Sequence, residues 1–200
     1  PAKQLRLIGI TGTNGKTSTA YFTESIFKAA GIKTALLGTI DYHFGKFILP
    51  AKTTTPDQIR LHNLFLRIAN AKIKHVIMEA SSQGMAQYRL SGLTFHVGAF
   101  TNLTQDHLDY HHSMENYLES KLTLFQQIDP ESGCAIVNMD IPAANRVVKA
   151  TNAPVISYGV KSEADLMASD ISSNLNGISF KAITPKGKVI IKLPMLGDYN

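Results

Sequence analysis

The stretch Leu5-Arg-Leu-Ile-Gly-Ile-Thr-Gly-Thr-Asn-Gly-Lys-Thr17 decides the fold of this chain. Its first half is an apolar run of the length of a buried strand, and a Gly-rich loop follows it. A helix is predicted from the loop to about Ala30, with Gly31 as its stop. The buried face of this helix is predicted to carry Phe22, Ile26, Ala29 and Ala30. A strand, a Gly-rich loop and a helix in this order are typical of a phosphate-binding α/β unit.

Apolar strands and amphipathic helices keep alternating to about residue 160. We expect strands at 34–40, 75–79, 95–100, 134–138 and 155–158, a hairpin within 41–49, and helices at 56–69, 114–127 and 143–149. Thr55 is expected to cap the helix that Pro56 begins. Beyond Gly159, three further strands are expected at 165–172, 177–184 and 188–193 with no helix between them. The sequence predicts an α/β fold, with a mostly parallel sheet flanked by helices in 1–160 and a small antiparallel sheet with an exit linker in 161–200.

The composition is that of a globular chain. Of the 200 residues, 44% are hydrophobic and 18% charged, which excludes a disordered chain. The net charge of +5 comes from scattered Lys and Arg residues, which argues against a nucleic-acid-binding tail. The single cysteine, Cys134, excludes an intramolecular disulfide framework and favours a reducing compartment such as the cytoplasm. No apolar run reaches the length of a membrane span, and the abrupt ends at Pro1 and Asn200 predict a domain of a longer protein.

The Gly-rich loop is a candidate phosphate loop of the kind found in P-loop NTPases. Backbone N–H groups at the start of a helix bind phosphate oxygens, and Lys16 would add a positive charge beside them. The hydroxyl of Thr17 would be able to reach Mg²⁺. The general motif has an additional glycine where this chain has Ile10. The alternative is a Gly-rich turn with an ordinary lysine.

Glu79 closes the apolar strand at 75–79. Open α/β sheets bind their ligands at the carboxyl ends of their strands, and Mg²⁺ takes one or two carboxylates together with phosphate oxygens. Glu79 is therefore a candidate magnesium ligand. The alternative is a strand-end glutamate that faces solvent.

Lys121 lies within the apolar stripe of the helix at 114–127, whereas Glu115, Glu119, Ser120 and Gln126 occupy the other face. A charged amine in such a stripe is costly unless it is paired, neutralised or able to reach water. The ordinary explanation is a lysine that reaches solvent or pairs with Glu79 or Asp106. The functional explanation is a neutral amine that adds CO₂ to form a carbamate, which could bind a metal.

A polar loop at 101–112 contains two aspartates and three histidines close together, which suggests a cation site. Mg²⁺ fits this position beside a phosphate loop, with one histidine as a less usual ligand. Zinc is the alternative, although cysteine partners and paired-histidine helix spacing are both missing. We interpret His111 and His112 as exposed residues at the entry of the next helix.

Together these residues resemble the central ATP-binding domain of the Mur ligases, the ATP-dependent amide ligases of peptidoglycan synthesis. The motifs that carry the resemblance are Thr11-Gly-Thr-Asn-Gly-Lys-Thr17, Thr54-Thr-Pro56, Met78-Glu-Ala-Ser-Ser-Gln-Gly84, Gln87-Tyr-Arg89, Thr101-Asn-Leu103, Asp106-His-Leu-Asp-Tyr-His111, Tyr117-x-x-x-Lys121 and Leu196-Gly-Asp-Tyr-Asn200. They are spread over the whole chain, 1–200. The motifs around Glu79 and His107 resemble the MurE type, which adds the third amino acid to UDP-N-acetylmuramoyl-L-alanyl-D-glutamate. Gln83 departs from that type, in which a histidine is expected.

The resemblance implies roles for individual residues. The nucleotide would be bound by Gly12, Thr13, Asn14, Gly15, Lys16, Thr17 and Ser18, with Asn200 near the adenine. Two Mg²⁺ ions would be held, the first by Thr17 and Glu79, the second by His107 and a carbamylated Lys121. The UDP-muramoyl-peptide would contact Thr54, Thr55, Ser81, Gln87 and Arg89. Lys16, Glu79, His107 and Lys121 would be the catalytic residues.

The resemblance also implies what the chain works with. ATP, the UDP-N-acetylmuramoyl-dipeptide and an amino acid, meso-diaminopimelate or L-lysine, would be its substrates in a bacterial cytoplasm, with no nucleic acid or membrane as partner. Separate N- and C-terminal domains would complete the enzyme, so the chain alone is expected to be inactive. Two alternatives stay open: another ligase of the Mur or folylpolyglutamate synthetase kind, and a P-loop kinase or nucleotide-binding module without ligase chemistry.

Overall fold

A computed structural model describes residues 2–195, which form one twisted sheet covered by helices. The strands are β1 (Arg6–Thr11), β2 (Thr34–Leu37), β3 (Asp41–Phe44), β4 (Phe47–Pro50), β5 (His75–Glu79), β6 (Val97–Phe100), β7 (Cys134–Asn138), β8 (Val155–Gly159), β9 (Leu166–Asn174), β10 (Gly177–Thr184) and β11 (Gly187–Leu193). The helices are α1 (Lys16–Ala29), α2 (Gln58–Asn70), α3 (Ser82–Ala86), α4 (Leu108–His111), α5 (Met114–Gln126) and α6 (Ala144–Lys149). Asn200 and the motif around it lie outside the described residues.

The order of strands places the phosphate-loop strand at the centre of the sheet. The order is β11-β10-β9-β8-β7-β6-β1-β5-β2-β3-β4, and β1 lies between β5 and β6, parallel to both. The segments that follow β1, β5 and β6 therefore emerge at the same edge of the sheet. Ligands of open α/β sheets bind at this carboxyl edge, where neighbouring loops separate. None of the helices in the range 2–195 is both long and apolar enough to cross a bilayer.

The predicted α/β class is confirmed, with a mostly parallel sheet and antiparallel strands near the C-terminus. The three last strands do not form a separate sheet, because β9 pairs in parallel with β8 and so extends the main sheet. The expected hairpin within 41–49 is present as β3 and β4. The division of the chain at about residue 160 stays a prediction.

The predicted buried face of α1 is wrong. Phe22 is 37% exposed and Ile26 is 69% exposed, whereas Ala20 is fully buried against the sheet. Tyr21 and Phe27 pack beside Ala20 on the apolar cluster of the central strands. Apolar residues occur on two faces of this helix, and the small Ala20 side chain is the one that lets the helix backbone approach the strands.

The predicted start of α2 is also wrong by a few residues. Asp57, rather than Thr55, is the N-cap, and its side chain accepts a hydrogen bond from the Arg60 amide at 2.9 Å. The Thr55 hydroxyl donates instead to the main-chain oxygen of Glu79 at 2.8 Å. An aspartate is at least as good a cap as a threonine, so local preference allows either start. The long-range bond to β5 decides between them.

His43 joins the antiparallel edge of the sheet to the phosphate-loop helix. Its Nδ1 lies 2.5 Å from Asp41 and its Nε2 lies 2.8 Å from Glu24 on α1. Burial on its own would lower the pKa of His43, but the hydrogen bonds and charges of Asp41 and Glu24 outweigh it and raise that pKa above the usual value. The two carboxylates therefore favour the protonated imidazole over the neutral one.

We expect His43→Gln to remove about 1 kcal/mol of stability at low pH and little at high pH. The contribution of a histidine with a raised folded-state pKa is complete below the unfolded pKa of about 6.5 and is lost as the pH rises through the folded pKa. Urea unfolding at about pH 6 and about pH 9 measures the difference. His62→Gln, an exposed histidine on α2, is the control. An equal loss at both pH values would contradict the bridge.

Candidate nucleotide and anion site

The loop between β1 and α1 has the backbone shape that its glycines allow. Gly12 has a φ of 141° and Gly15, the N-cap of α1, a φ of 80°. A side chain at Gly12 would collide with the hydroxyl of Thr101. Lys16 folds back over the loop, and its Nζ donates to the main-chain oxygens of Gly12 at 3.0 Å and Thr13 at 2.8 Å. The amine therefore lies over the loop, where it can move onto a bound phosphate.

The segment after β6 supports the phosphate loop from the side. The Asn102 side chain accepts from the Asn14 amide at 2.8 Å, and the Thr101 hydroxyl donates to the Asn14 main-chain oxygen at 2.6 Å. The Thr13 hydroxyl donates to the Thr104 main-chain oxygen at 3.1 Å and accepts from the Thr104 amide at 3.0 Å. From the sequence, residues 101–103 could be singled out only by the family resemblance. Its role follows from the pairing of β6 with β1.

Glu79 does not face solvent, so that alternative is wrong. The side chain is fully buried, and the Thr17 hydroxyl lies 3.0 Å from both of its carboxylate oxygens. The amide and hydroxyl of Thr39 also donate to it, each at 2.9 Å. Thr39, which the sequence did not single out, thus orients the carboxylate. An aliphatic hydroxyl and a carboxylate side by side at a phosphate loop form a donor set that fits Mg²⁺.

Lys121 is 1% exposed, so it does not reach solvent. Its Nζ donates to the Gly12 main-chain oxygen at 2.9 Å and lies 4.4 Å from the centre of the Tyr117 ring. In the part of the chain that the structure describes, no carboxylate forms a salt bridge with it. The two ordinary explanations for this lysine therefore fail.

Burial, and after it the positive charge of Lys16, lowers the pKa of Lys121 to about 7, although Asp106 opposes the change. Burial also lowers the pKa of Lys16, against the opposing charges of Glu79 and Asp106. A substantial fraction of the Lys121 amine is therefore neutral at neutral pH. The neutral amine is the form that reacts with CO₂.

The histidine-rich loop contains the short helix α4, and its three histidines have different environments. His107 is the N-cap of α4, has a φ of 52°, and lies at the rim of the cleft. His112 is exposed, as predicted, but His111 is buried against the rings of Tyr110 and Tyr117, so its prediction as an exposed residue is wrong. Among residues 2–195 no three His, Cys, Asp or Glu side chains converge as metal ligands.

The residues predicted to contact the muramoyl-peptide fall into two groups. Thr54, Ser81 and Arg89 line the cleft, and Arg89 is held by a hydrogen bond from Nη1 to the Thr55 main-chain oxygen at 2.7 Å. Thr55 is fully buried, and Gln87 does not line the cleft. Sequence reasoning did not assign Thr53, Ser82 or Gln83, which do line it.

These side chains surround one cleft of about 500 Å³ at the carboxyl edge of the sheet. Its charged lining consists of Lys16 and Arg89 facing the single carboxylate of Glu79, with the partly neutral Lys121 beside them and His107 at the rim. The excess of positive charge suits a ligand with several negative charges. Every predicted nucleotide residue from Thr13 to Ser18 lies on its wall.

The Mur ligase middle domain matches residues 10–200. The chain belongs to this family. The resemblance inferred from the motifs is confirmed.

Similar proteins agree with this membership. UDP-N-acetylmuramoyl-L-alanyl-D-glutamate--2,6-diaminopimelate ligase of Bacillus licheniformis is 40% identical over the whole chain, which spans 42% of that protein's length. A solved structure of a ligase of the same name superposes with a TM-score of 0.88 at 29% identity, covering 98% of this chain and 40% of that one. MurF of Acinetobacter baumannii, at 22% identity and a TM-score of 0.79, shares the fold. The Mur middle domain thus occupies less than half of these longer proteins.

Proposed function

We propose that this Mur middle domain is the nucleotide-binding part of an ATP-dependent amide ligase of the MurE type. The parent enzyme would join the third amino acid to UDP-N-acetylmuramoyl-L-alanyl-D-glutamate in peptidoglycan synthesis, and so serve cell-wall formation, cell shape and division. The observation that carries the proposal is the single cleft in which the phosphate loop, Glu79, Lys121 and Arg89 meet. The names of the relatives favour diaminopimelate over lysine as the amino acid.

The reaction that suits this cleft begins with two anions. An oxygen of the substrate carboxylate attacks the γ-phosphorus of ATP, the bond to ADP breaks, and an acyl phosphate forms. The amine then attacks the acyl carbon, loses a proton, and displaces phosphate. The positive charges of Lys16 and Arg89 reduce the repulsion between carboxylate and triphosphate, which is the main obstacle to the first step. The chain contributes positioning and charge, and no covalent chemistry of its own is required.

The site also suits two Mg²⁺ ions. Thr17 and Glu79 would hold the first, because their oxygens already lie together beside the phosphate loop. His107 and a carbamylated Lys121 would hold the second, since both line the same cleft. Bound Mg²⁺ supplies charge neutralisation to phosphate oxygens. Asn200, which lies beyond the described residues, stays a proposed neighbour of the adenine.

The proposal also covers the flanking domains of the parent enzyme and the compartment in which it would act. The parent chain would carry an N-terminal domain for the uridine nucleotide and a C-terminal domain for the incoming amino acid, and it would act in a bacterial cytoplasm. The chain of 1–200 alone would bind ATP weakly and would not form amide.

The proposal is tested by incubating the full-length parent protein with ATP, the UDP-muramoyl-dipeptide and diaminopimelate. We expect ADP release that depends on the dipeptide acid and an amide product detected by mass spectrometry. ATP turnover without need of the acid, or a stable phosphorylated product, would support a kinase or a nucleotide-binding module instead.

A further inference from the structure

A continuous series of hydrogen bonds connects the loop that bears His107 with the arginine of the cleft. The Nε2 of Gln87 donates to the Tyr110 hydroxyl on α4 at 3.2 Å. The Oε1 of the same amide accepts from Nε of Arg89 at 3.0 Å and from its Nη2 at 2.5 Å. Nη1 of Arg89 then donates to the Thr55 main-chain oxygen at 2.7 Å. Both ends of this series are attached to elements that form the cleft.

The backbone after α3 is shaped to bring Gln87 and Arg89 together. Tyr88, between them, has a φ of 56°, which is uncommon for a residue with a side chain. Its amide donates to the Met85 main-chain oxygen at 2.9 Å, and its own oxygen accepts from the Gln58 side chain at 2.6 Å. The Tyr88 side chain itself is 74% exposed. The turn is therefore held by one main-chain bond and by the Gln58 side chain, and it places Gln87 and Arg89 next to each other.

The amide of Gln87 has a fixed orientation because the donor groups of Arg89 lie on its oxygen side. If the amide turned over, its N–H groups would face the N–H groups of Arg89, with no acceptor between them. The Tyr110 hydroxyl accepts from Nε2 and so holds the side chain where its oxygen meets the guanidinium. Gln87 has both ends of its amide engaged in this way and does not line the cleft.

We propose that Gln87 and Tyr110 are positioning residues that together orient Arg89 toward the acid substrate. This inference rests on the proposed function for the role of Arg89. Tyr110 lies on α4, whose N-cap is His107, so the same contact relates the arginine side of the cleft to the histidine side. The contact of Gln87 with the substrate stays a prediction, and the positioning of Arg89 adds to it.

The test uses the full-length parent enzyme and compares Tyr110→Phe with Tyr88→Phe. Both changes remove one tyrosine hydroxyl, but only the first breaks the contact with Gln87. We expect Tyr110→Phe to raise KM for the acid substrate about 3- to 10-fold, the effect of one lost hydrogen bond, with KM for ATP unchanged. Tyr88→Phe should match the wild type. Gln87→Glu, which would pair with Arg89 and reduce its free charge, should raise the same KM at least as much.

A second measurement does not depend on catalysis. The NMR signal of the Arg89 Nε–H group, assigned by its loss in Arg89→Lys, should exchange faster with water in Tyr110→Phe than in the wild type or Tyr88→Phe. Unchanged exchange in Tyr110→Phe, or an equal rise of KM for ATP and for the acid, would overturn the inference. If the wild-type enzyme shows no acid-dependent ADP release, the proposed function fails, while the exchange rates still decide whether Tyr110 positions Arg89.

Discussion

Lys16→Met should reduce kcat/KM for ATP in the parent enzyme on the order of 1,000-fold, the upper range for removal of one charge-stabilising donor. In the structure the Lys16 amine is held above the phosphate loop by two main-chain oxygens, within the cleft and beside the Thr17–Glu79 pair. Methionine keeps most of the length of the side chain but removes the charge that would meet the phosphate oxygens. Steady-state kinetics with ATP varied, together with calorimetric titration of a non-hydrolysable ATP analogue, measure the loss.

The matched control for this prediction is Lys28→Met on the same helix. Lys28 is exposed and lies at the opposite end of α1 from the phosphate loop, so its removal changes the net charge equally without touching the cleft. We expect nearly normal kinetics for Lys28→Met and a thermal midpoint close to the wild type for both variants. Comparable losses in the two variants would mean that the chain's overall charge, and not Lys16 in the loop, attracts the nucleotide.

Lys121→Ala should lower kcat on the order of 100-fold, and short carboxylates such as acetate should restore part of the activity. The buried amine, with a pKa of about 7, has a substantial neutral fraction at neutral pH. Its nitrogen can form a bond to the carbon of CO₂ and release one proton, which leaves a carbamate with the charge and oxygens of a carboxylate. A negative group there lies near Lys16 and faces the cleft, where a small added carboxylate can replace it.

The modification itself has a separate measurement. Intact-protein mass spectrometry in bicarbonate buffer should show the added mass of one CO₂, lost after acid treatment and missing in Lys121→Ala. Lys149→Ala, an exposed lysine in the last turn of α6, should retain both the added mass and the activity. A wild-type protein without the added mass, with an active Lys121→Ala variant, would favour a nucleotide-binding module over a ligase.

The parts of the fold that were predicted correctly depend on local sequence. Apolar runs such as 5–11 and 75–79 form strands because they are buried on both sides of a parallel sheet. Prediction failed where the local sequence allows two structures equally well. Both faces of α1 carry apolar residues, and both Thr55 and Asp57 can cap α2, so the choice depended on contacts far away in the chain.

The prediction of the candidate site from the sequence had the same limit. Gly12 to Thr17 form a contiguous motif and could be recognised, and Glu79 and Lys121 stood out as charges in apolar surroundings. Thr39 carries no such signal, because a threonine after a strand is common and only folding brings it to Glu79. His111 was misjudged because its burial depends on the rings of Tyr110 and Tyr117, and Tyr117 belongs to the next helix.

The most direct test of the proposed function follows an oxygen atom. The parent enzyme is given ATP, diaminopimelate and UDP-muramoyl-dipeptide labelled with ¹⁸O in the reacting carboxylate, and the released phosphate is analysed by mass spectrometry. Attack of the carboxylate on the γ-phosphorus predicts that each phosphate carries one ¹⁸O from the acid, with ADP as the other product. Unlabelled phosphate formed together with the amide, or AMP in place of ADP, would contradict the mechanism assigned to the cleft of Lys16, Glu79 and Lys121.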